Sequence, residues 1–200
     1  MDQVNSLNAQ LDRRTVVKFL LVNRADLLVI TGLGSSSYDV FAAGDHDANF
    51  YLWGAMGGAA LTGLGLALAQ PDRPVVVVTG DGEQLMGLGG LATIAVQQPR
   101  NLSIVVLDNG HFGETGMQKS HAGLGVDLDK VAAAMGFDTA VDVTSMDQLA
   151  SVRDALHCTH AATRFFRVRI RAEETPRALP ARDGVHVKNR FRIHLGFPVA

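Results

Sequence analysis

Residues 74–83 read PVVVVTGDGE. Four consecutive valines without alternation describe a strand buried on both faces, which is the mark of a parallel sheet covered by helices. The strand runs straight into Gly80-Asp-Gly82. Two glycines let the backbone bend around the carboxylate of Asp81. An acidic side chain at a sheet's carboxyl edge, beside amides that open a helix, suits a cation bridging to phosphate. Gly-Asp-Gly is also an ordinary turn, so the motif alone leaves both readings open.

Elements alternate on either side of this stretch. Upstream come a helix over 11–22, an apolar strand over 26–31, a short helix over 35–42 that begins on serines fit to cap it, a strand over 49–53 and a small-residue helix over 55–69. Downstream come a helix over 84–97, the strand LSIVVL over 102–107, an irregular stretch over 108–126 and a helix over 128–135 stopped by Gly136. Then follow a strand over 140–143, a helix over 146–156 and a last strand over 165–170. Beyond Arg171 no pattern emerges. The order predicts an α/β fold with a doubly wound, mostly parallel sheet flanked by helices. Residues 1–175 are expected to form this domain and 176–200 a basic extension packed on a partner subunit.

Composition narrows the function. Hydrophobic residues make up 47% of the 200 and charged residues 19%, which excludes a disordered chain. The net charge of −2 gives no global basic footprint for nucleic acid. From His160 onward the net is +6, so the rest carries −8. That basic tail reads either as a solvated or subunit-packed arm or as an attractor of anions. The polar opening Met1-Asp-Gln-Val-Asn5 is unlike a secretory signal. The weakly polar run over 55–69 falls short of the ~20 residues that span a bilayer. A cytoplasmic protein with no membrane and no nucleic-acid partner is expected. A single cysteine, Cys158, excludes an intrachain disulfide framework and an all-cysteine metal site. Of the 21 glycines, 18 fall between Gly32 and Gly125. In that window the backbone must turn sharply or approach a ligand.

Ligands of doubly wound sheets sit at the carboxyl ends of strands. That singles out 31–37, 79–84 and 108–116. Asn109 ends the strand after Asp81, 28 residues on, so adjacent parallel strands place both at one edge. Carboxylate, amide oxygen and backbone carbonyl form a hard oxygen set suited to Mg²⁺ or Ca²⁺. Mg²⁺ usually takes phosphate oxygens too, so the set implies a phosphorylated ligand.

At this point the chain resembles a known family. Gly80-Asp-Gly82 followed by a strand-ending Asn109 is similar to the diphosphate–Mg²⁺ motif of thiamine-diphosphate-dependent enzymes. The stretches 49–57 (NFYLWGAMG), Leu85-Met86, 89–94 (GGLATI), 101–110, the Gly116/Gln118 pair and 188–191 (KNRF) resemble the phosphonopyruvate and sulfopyruvate decarboxylases. The match is close over 28–118 and looser elsewhere.

The resemblance implies site roles. Asp81, the Asn109 side chain and the His111 carbonyl would hold Mg²⁺. Gly82 and Glu83 would offer amides to the diphosphate of thiamine diphosphate, and Gly34, Ser35 and Ser36 would hold its other end. The Gly54 carbonyl would accept from the aminopyrimidine, and Met56 would keep the cofactor bent. His111, Glu114 and His121 are candidate proton-transfer residues near the substrate, since histidine titrates close to neutrality. Glu114 stands where relatives carry a small hydroxyl residue. Glu83 replaces a small residue, and its carboxylate is expected to point away from the diphosphate. Asp108-Asn109 replaces the commoner Asn-Asn. Gln118 would meet a substrate oxyanion or brace its loop.

The resemblance also implies a partner. Such enzymes pair a diphosphate-binding domain with a pyrimidine-binding domain that supplies an activating glutamate. No such domain is legible in these 200 residues. The expectation is a β-type subunit of a lyase that decarboxylates a small anionic 2-oxo acid, in an α2β2 or larger hetero-oligomer with an α-type subunit. Carboligation, another C–C cleavage and a non-catalytic subunit remain as alternatives. A dinucleotide-binding Rossmann reading fares poorly, because Gly32-Leu-Gly34 is only a partial Gly-x-Gly-x-x-Gly. His46 reads as a turn residue. Trp53 reads as a packed interface aromatic. His157, Cys158 and His160 read as a capped or exposed helix end rather than a zinc site.

Overall fold

The computed structural model describes residues 11–199, so the polar opening segment lies outside the described residues. Six strands form one sheet in the order β2-β1-β3-β4-β8-β7, all parallel. They are β1 (Leu28–Thr31), β2 (Asn49–Tyr51), β3 (Val75–Gly80), β4 (Leu102–Asp108), β7 (Thr139–Val143) and β8 (Arg164–Arg169). Register within the central strands aligns Val77 with Ile30 and with Ile104. The carboxyl ends of β1, β3 and β4 therefore finish side by side.

Helices cover both faces. One face carries α3 (Ala59–Ala69), α5 (Gly90–Gln97), α6 (Leu128–Met135) and α8 (Gly184–His194), packed on Ile30, Val77, Ile104 and Phe165. The other carries α1 (Arg13–Leu21), α2 (Ser35–Ala42) and α7 (Met146–Leu156), packed on Val29, Val76, Val105 and Phe166. Alternate valines of β3 thus feed opposite layers, each buried valine being worth about 1.5–3 kcal/mol. No helix of the described residues is long and apolar enough to cross a membrane.

The structure departs from the sequence reading at several places. The helix expected from residue 55 begins only at Ala59, since Gly54 and Gly57 take positive φ. The helix expected over 84–97 is two, α4 (Asp81–Met86) and α5. Its break is a close approach: a Cβ on Gly87 would overlap the carbonyl of Gly57. The serines over 35–37 do not cap α2. Gly34 holds that position without a side-chain bond, and the Ser37 hydroxyl donates to the Gly32 carbonyl at 2.7 Å. The irregular stretch contains a small hairpin, β5 (His111–Phe112) with β6 (Gln118–Lys119).

The tail, where the sequence showed no pattern, contains a helix. It folds into α8 and packs on its own chain, with Phe191 edge-on to Phe50 of β2. Arg190 pairs with Asp45 at 2.6 Å. Trp53 donates to the Ala181 carbonyl at 3.1 Å and lies against Tyr38.

Candidate active site

The sheet's winding direction changes between β1 and β3, because β2 lies on one side of β1 and β3 on the other. A cleft of about 190 Å³ opens over the carboxyl ends beside this switch point. Ser35, Ser36, Met56, Asp81, Glu83, Asn109, His111 and Glu114 all line it, together with Gly82. Segments far apart in sequence therefore converge on one cleft.

Each side chain is held by local chemistry. Asp81 opens α4 immediately after β3 and is buried. The Ser120 hydroxyl donates to its carboxylate, and among the described residues no cation reaches it. Burial pushes this carboxyl up to about 6, the Ser120 hydrogen bond opposing and nearby Asp108 adding to the rise. Asn109 caps its own turn: its Oδ1 accepts from the His111 amide at 2.9 Å. The Asn109 carbonyl takes the His111 Nδ1 proton at 2.7 Å, since a carbonyl can only accept. That leaves Nε2 of His111 as its exchangeable position.

Glu83 lines the cleft but its carboxylate is tied to the β1 end. Its Oε2 accepts from the Leu33 amide at 2.9 Å, and a Cβ on Gly32 would overlap this carboxylate. Burial raises its pKa, and polar neighbours including the Leu33 amide counter the rise. Glu114 stands at the mouth, where Ser35 donates to it at 3.3 Å and Arg177 pairs with it at 3.4 Å. Gln118 braces its loop by donating to the Thr115 carbonyl at 2.7 Å.

Three expected residues are outside the lining, Gly34 at the start of α2 being the first. Gly54 is outside the lining, at a left-handed φ of 74°. His121 faces a neighbouring apolar pocket with Leu85, Met86, Leu88 and Val126, its ring edge-on to Phe112 at 6.4 Å. Sequence reasoning missed three participants. Phe112 is the wall between the two pockets. Ser120 bonds Asp81. Buried Arg13 lines the cleft while pairing with Asp39 at 2.7 Å. Neither Ser120 nor Arg13 sits in any motif that would have marked it.

One carboxylate with amide and carbonyl oxygens suits a hard cation that also takes ligand oxygens. Among the described residues no cluster of three His, Cys, Asp or Glu exists, so a site made of protein side chains alone is not what is built here. Buried Asp81 without a cation fits a divalent ion arriving with an anionic ligand.

Fold and cleft together define an open, doubly wound α/β protein with a cleft at its switch point. Residues 34–166 match the family model for the C-terminal TPP binding domain of thiamine pyrophosphate enzymes. The chain belongs to this family. It is 41% identical over 180 residues to the phosphonopyruvate decarboxylase of Streptomyces viridochromogenes, covering 88% of this chain and 44% of that protein. It is 50% identical over 113 residues to the sulfopyruvate decarboxylase subunit beta of Methanothermobacter thermautotrophicus, covering 56% of this chain and 60% of the relative. The beta subunit of Methanococcus maripaludis is 35% identical over 74% of this chain and 76% of its own. The chain thus spans under half of the first relative and more of the beta subunits. The thiamine diphosphate-dependent 4-hydroxybenzoylformate decarboxylase of Rhodococcus jostii RHA1 shares the fold, with a TM-score of 0.68 at 20% identity over 84% of this chain and 34% of that one.

Proposed function

We propose that this chain is the β-type subunit of a thiamine-diphosphate- and Mg²⁺-dependent lyase that decarboxylates a small anionic 2-oxo acid of the sulfopyruvate or phosphonopyruvate kind. The observation that carries the reading is the convergence of Asp81 and Asn109 on one cleft at the switch point. When bound, the cofactor supplies the electron sink for the leaving carboxylate's electrons.

The chain's own residues bind and orient. Asp81, Asn109 Oδ1 and the His111 carbonyl would hold Mg²⁺. Amides of Gly82 and Glu83 would meet the diphosphate, while Gly34, Ser35 and Ser36 would hold its other end. The Gly54 carbonyl would accept from the aminopyrimidine, and Met56 would keep the cofactor bent. His111 and Glu114, both in the lining, move protons at the substrate. His121, beyond Phe112, acts on them only if that ring turns aside.

The activating glutamate comes from a pyrimidine-domain subunit on a separate chain, in an α2β2 or larger assembly. Support comes from the beta subunits among its relatives, which it matches over most of their length. A cytoplasmic setting agrees with the one exposed, free cysteine.

Calorimetric titration with thiamine diphosphate tests the cofactor assignment. Binding should require Mg²⁺, and Asp81→Ala should abolish it; unchanged binding by that variant overturns the metal assignment. Full-rate turnover of 2-oxo acids by this chain alone would overturn the two-chain assignment.

A further inference from the structure

Asp108 is a buried carboxylate that the cofactor assignment does not use, although it adjoins Asn109. Its Oδ2 accepts from Arg167 Nε at 2.6 Å and its Oδ1 from the Gly110 amide at 2.8 Å. Arg167 lies on β8 in register with Val106. Side chains two apart on a strand share a face, so the guanidinium stands beside Asp108 on the α6 side. Its Nη1 also reaches Asp127 at 2.6 Å and Asp129 at 3.3 Å, at the start of α6.

The bonds continue toward the cleft. The Gly110 carbonyl accepts from the Ser120 amide at 2.8 Å, and the Ser120 hydroxyl donates to Asp81. An unbroken chain therefore runs from Arg167 through Asp108, Gly110 and Ser120 to Asp81. It passes on both sides of Asn109, so the two side-chain oxygens offered to a cation are set by one frame. The frame also settles a charge problem. Asp108 is a second buried carboxylate whose charge acts on Asp81, and Arg167 balances it.

Resting on the cofactor assignment above, we propose that Arg167 is a positioning residue for the metal-donor pair. It holds Asp108 fixed, so that the 108–110 turn and, through Ser120, Asp81 keep their places. Arg167 itself touches neither cation nor cofactor.

Three variants test this: Arg167→Met, Asp108→Asn and the double variant. Outer partners of metal ligands are worth about 10–100-fold in metal affinity, so Arg167→Met should weaken Mg²⁺-dependent thiamine diphosphate binding by about that factor. Asn at 108 keeps an acceptor for the Gly110 amide but carries no charge. The double variant should therefore regain most of the lost affinity, which a merely structural arginine would not allow. A second readout needs no cofactor. Amide exchange at Gly110 and Ser120, measured against Val105 in β4, should quicken in Arg167→Met and slow again in the double variant.

The proposal is overturned if Arg167→Met binds as the parent does, or if the double variant binds and exchanges no better than Arg167→Met. Should Arg167→Met fail to fold, the double variant must still fold and bind, and its failure also overturns the proposal. If the parent, assembled with its pyrimidine-domain subunit, binds no thiamine diphosphate with Mg²⁺, the cofactor assignment falls, and the exchange comparison alone decides whether Arg167 sets the loop.

Discussion

Asp39 and Asp81 are both buried carboxylates near the carboxyl edge of the sheet, yet they are treated oppositely. Asp39 on α2 is fully buried and holds two guanidiniums, Arg13 at 2.7 Å and Arg14 at 2.6 Å. Asp81 is 2% exposed and meets a hydroxyl but no cation among the described residues. Ionising a lone buried carboxylate is costly. The first charge is balanced by the chain itself and fastens α1 to α2. The second has no such partner among the described residues, so its ionisation is costly. That contrast supports the proposal that Asp81, rather than Asp39, meets a cation.

Breaking the balanced side should have the larger effect on stability. Asp39→Ala strands Arg13 in a buried position, and removal of one partner from such a pair costs about 3–5 kcal/mol. Urea unfolding should show a midpoint shift of that size; a change under about 1 kcal/mol, the usual value for a surface pair, would mean that the arginines find water instead.

The open side should respond with the opposite sign. Folding raises the Asp81 carboxyl from 3.8 to about 6, so the native chain holds this proton more tightly than the unfolded chain. The group's contribution is most favourable below pH 4 and is lost as pH rises through 6. In the metal-free protein at pH 7, Asp81→Asn should therefore be stabilising, by up to about 3 kcal/mol for a two-unit shift. The gain should vanish below pH 4, and cofactor binding should be lost. Stability equal to that of the parent at both pH values would show that the carboxylate is solvated rather than stranded.

Legibility followed the same division. The valine run of β3 and the apolar runs of β1 and β4 are visible because burial on both faces leaves a continuous hydrophobic signature. Asp81 and Asn109 are visible because they end such strands. What stayed hidden depends on pairing at a distance. Arg167 meets Asp108 across 59 residues and Arg13 meets Asp39 across 26, and no local pattern announces either. The helix α8 escaped because only Val187 and Phe191 of it are buried, amid a run of charge. The break between α4 and α5 escaped because it arises from one backbone pressing on another, Gly57 on Gly87.

Histidines extend the comparison with a smaller effect. At the cleft, His111 keeps Nε2 exchangeable. At the far end of the molecule, His46 and His194 hold the end of α8 to the turn before β2, their rings edge-on at 5.6 Å. His46 Nδ1 accepts from the Ala48 amide at 3.0 Å. His194 Nε2 lies 3.1 Å from the Arg73 guanidinium, which can only donate. Both rings are therefore neutral acceptors. Burial lowers both pKa values first; Arg24 and Arg190 near His46 and Arg73 near His194 lower them further, and Asp45 and Asp47 oppose. The unfolded chain thus takes up protons that the folded chain refuses. The contribution is intact above pH 6.5 and is lost as pH falls below it. His46 is exposed and His194 half-buried, so solvent screens the effect and it should stay local. Acidification from pH 7 to 5 should speed amide exchange over 190–195, after correction for intrinsic rates, while leaving β3 unchanged. His194→Gln keeps an acceptor for Arg73 but does not titrate, so it should blunt the response. Equal protection of the parent at both pH values would show that α8 is held by Phe191 and Arg190 alone.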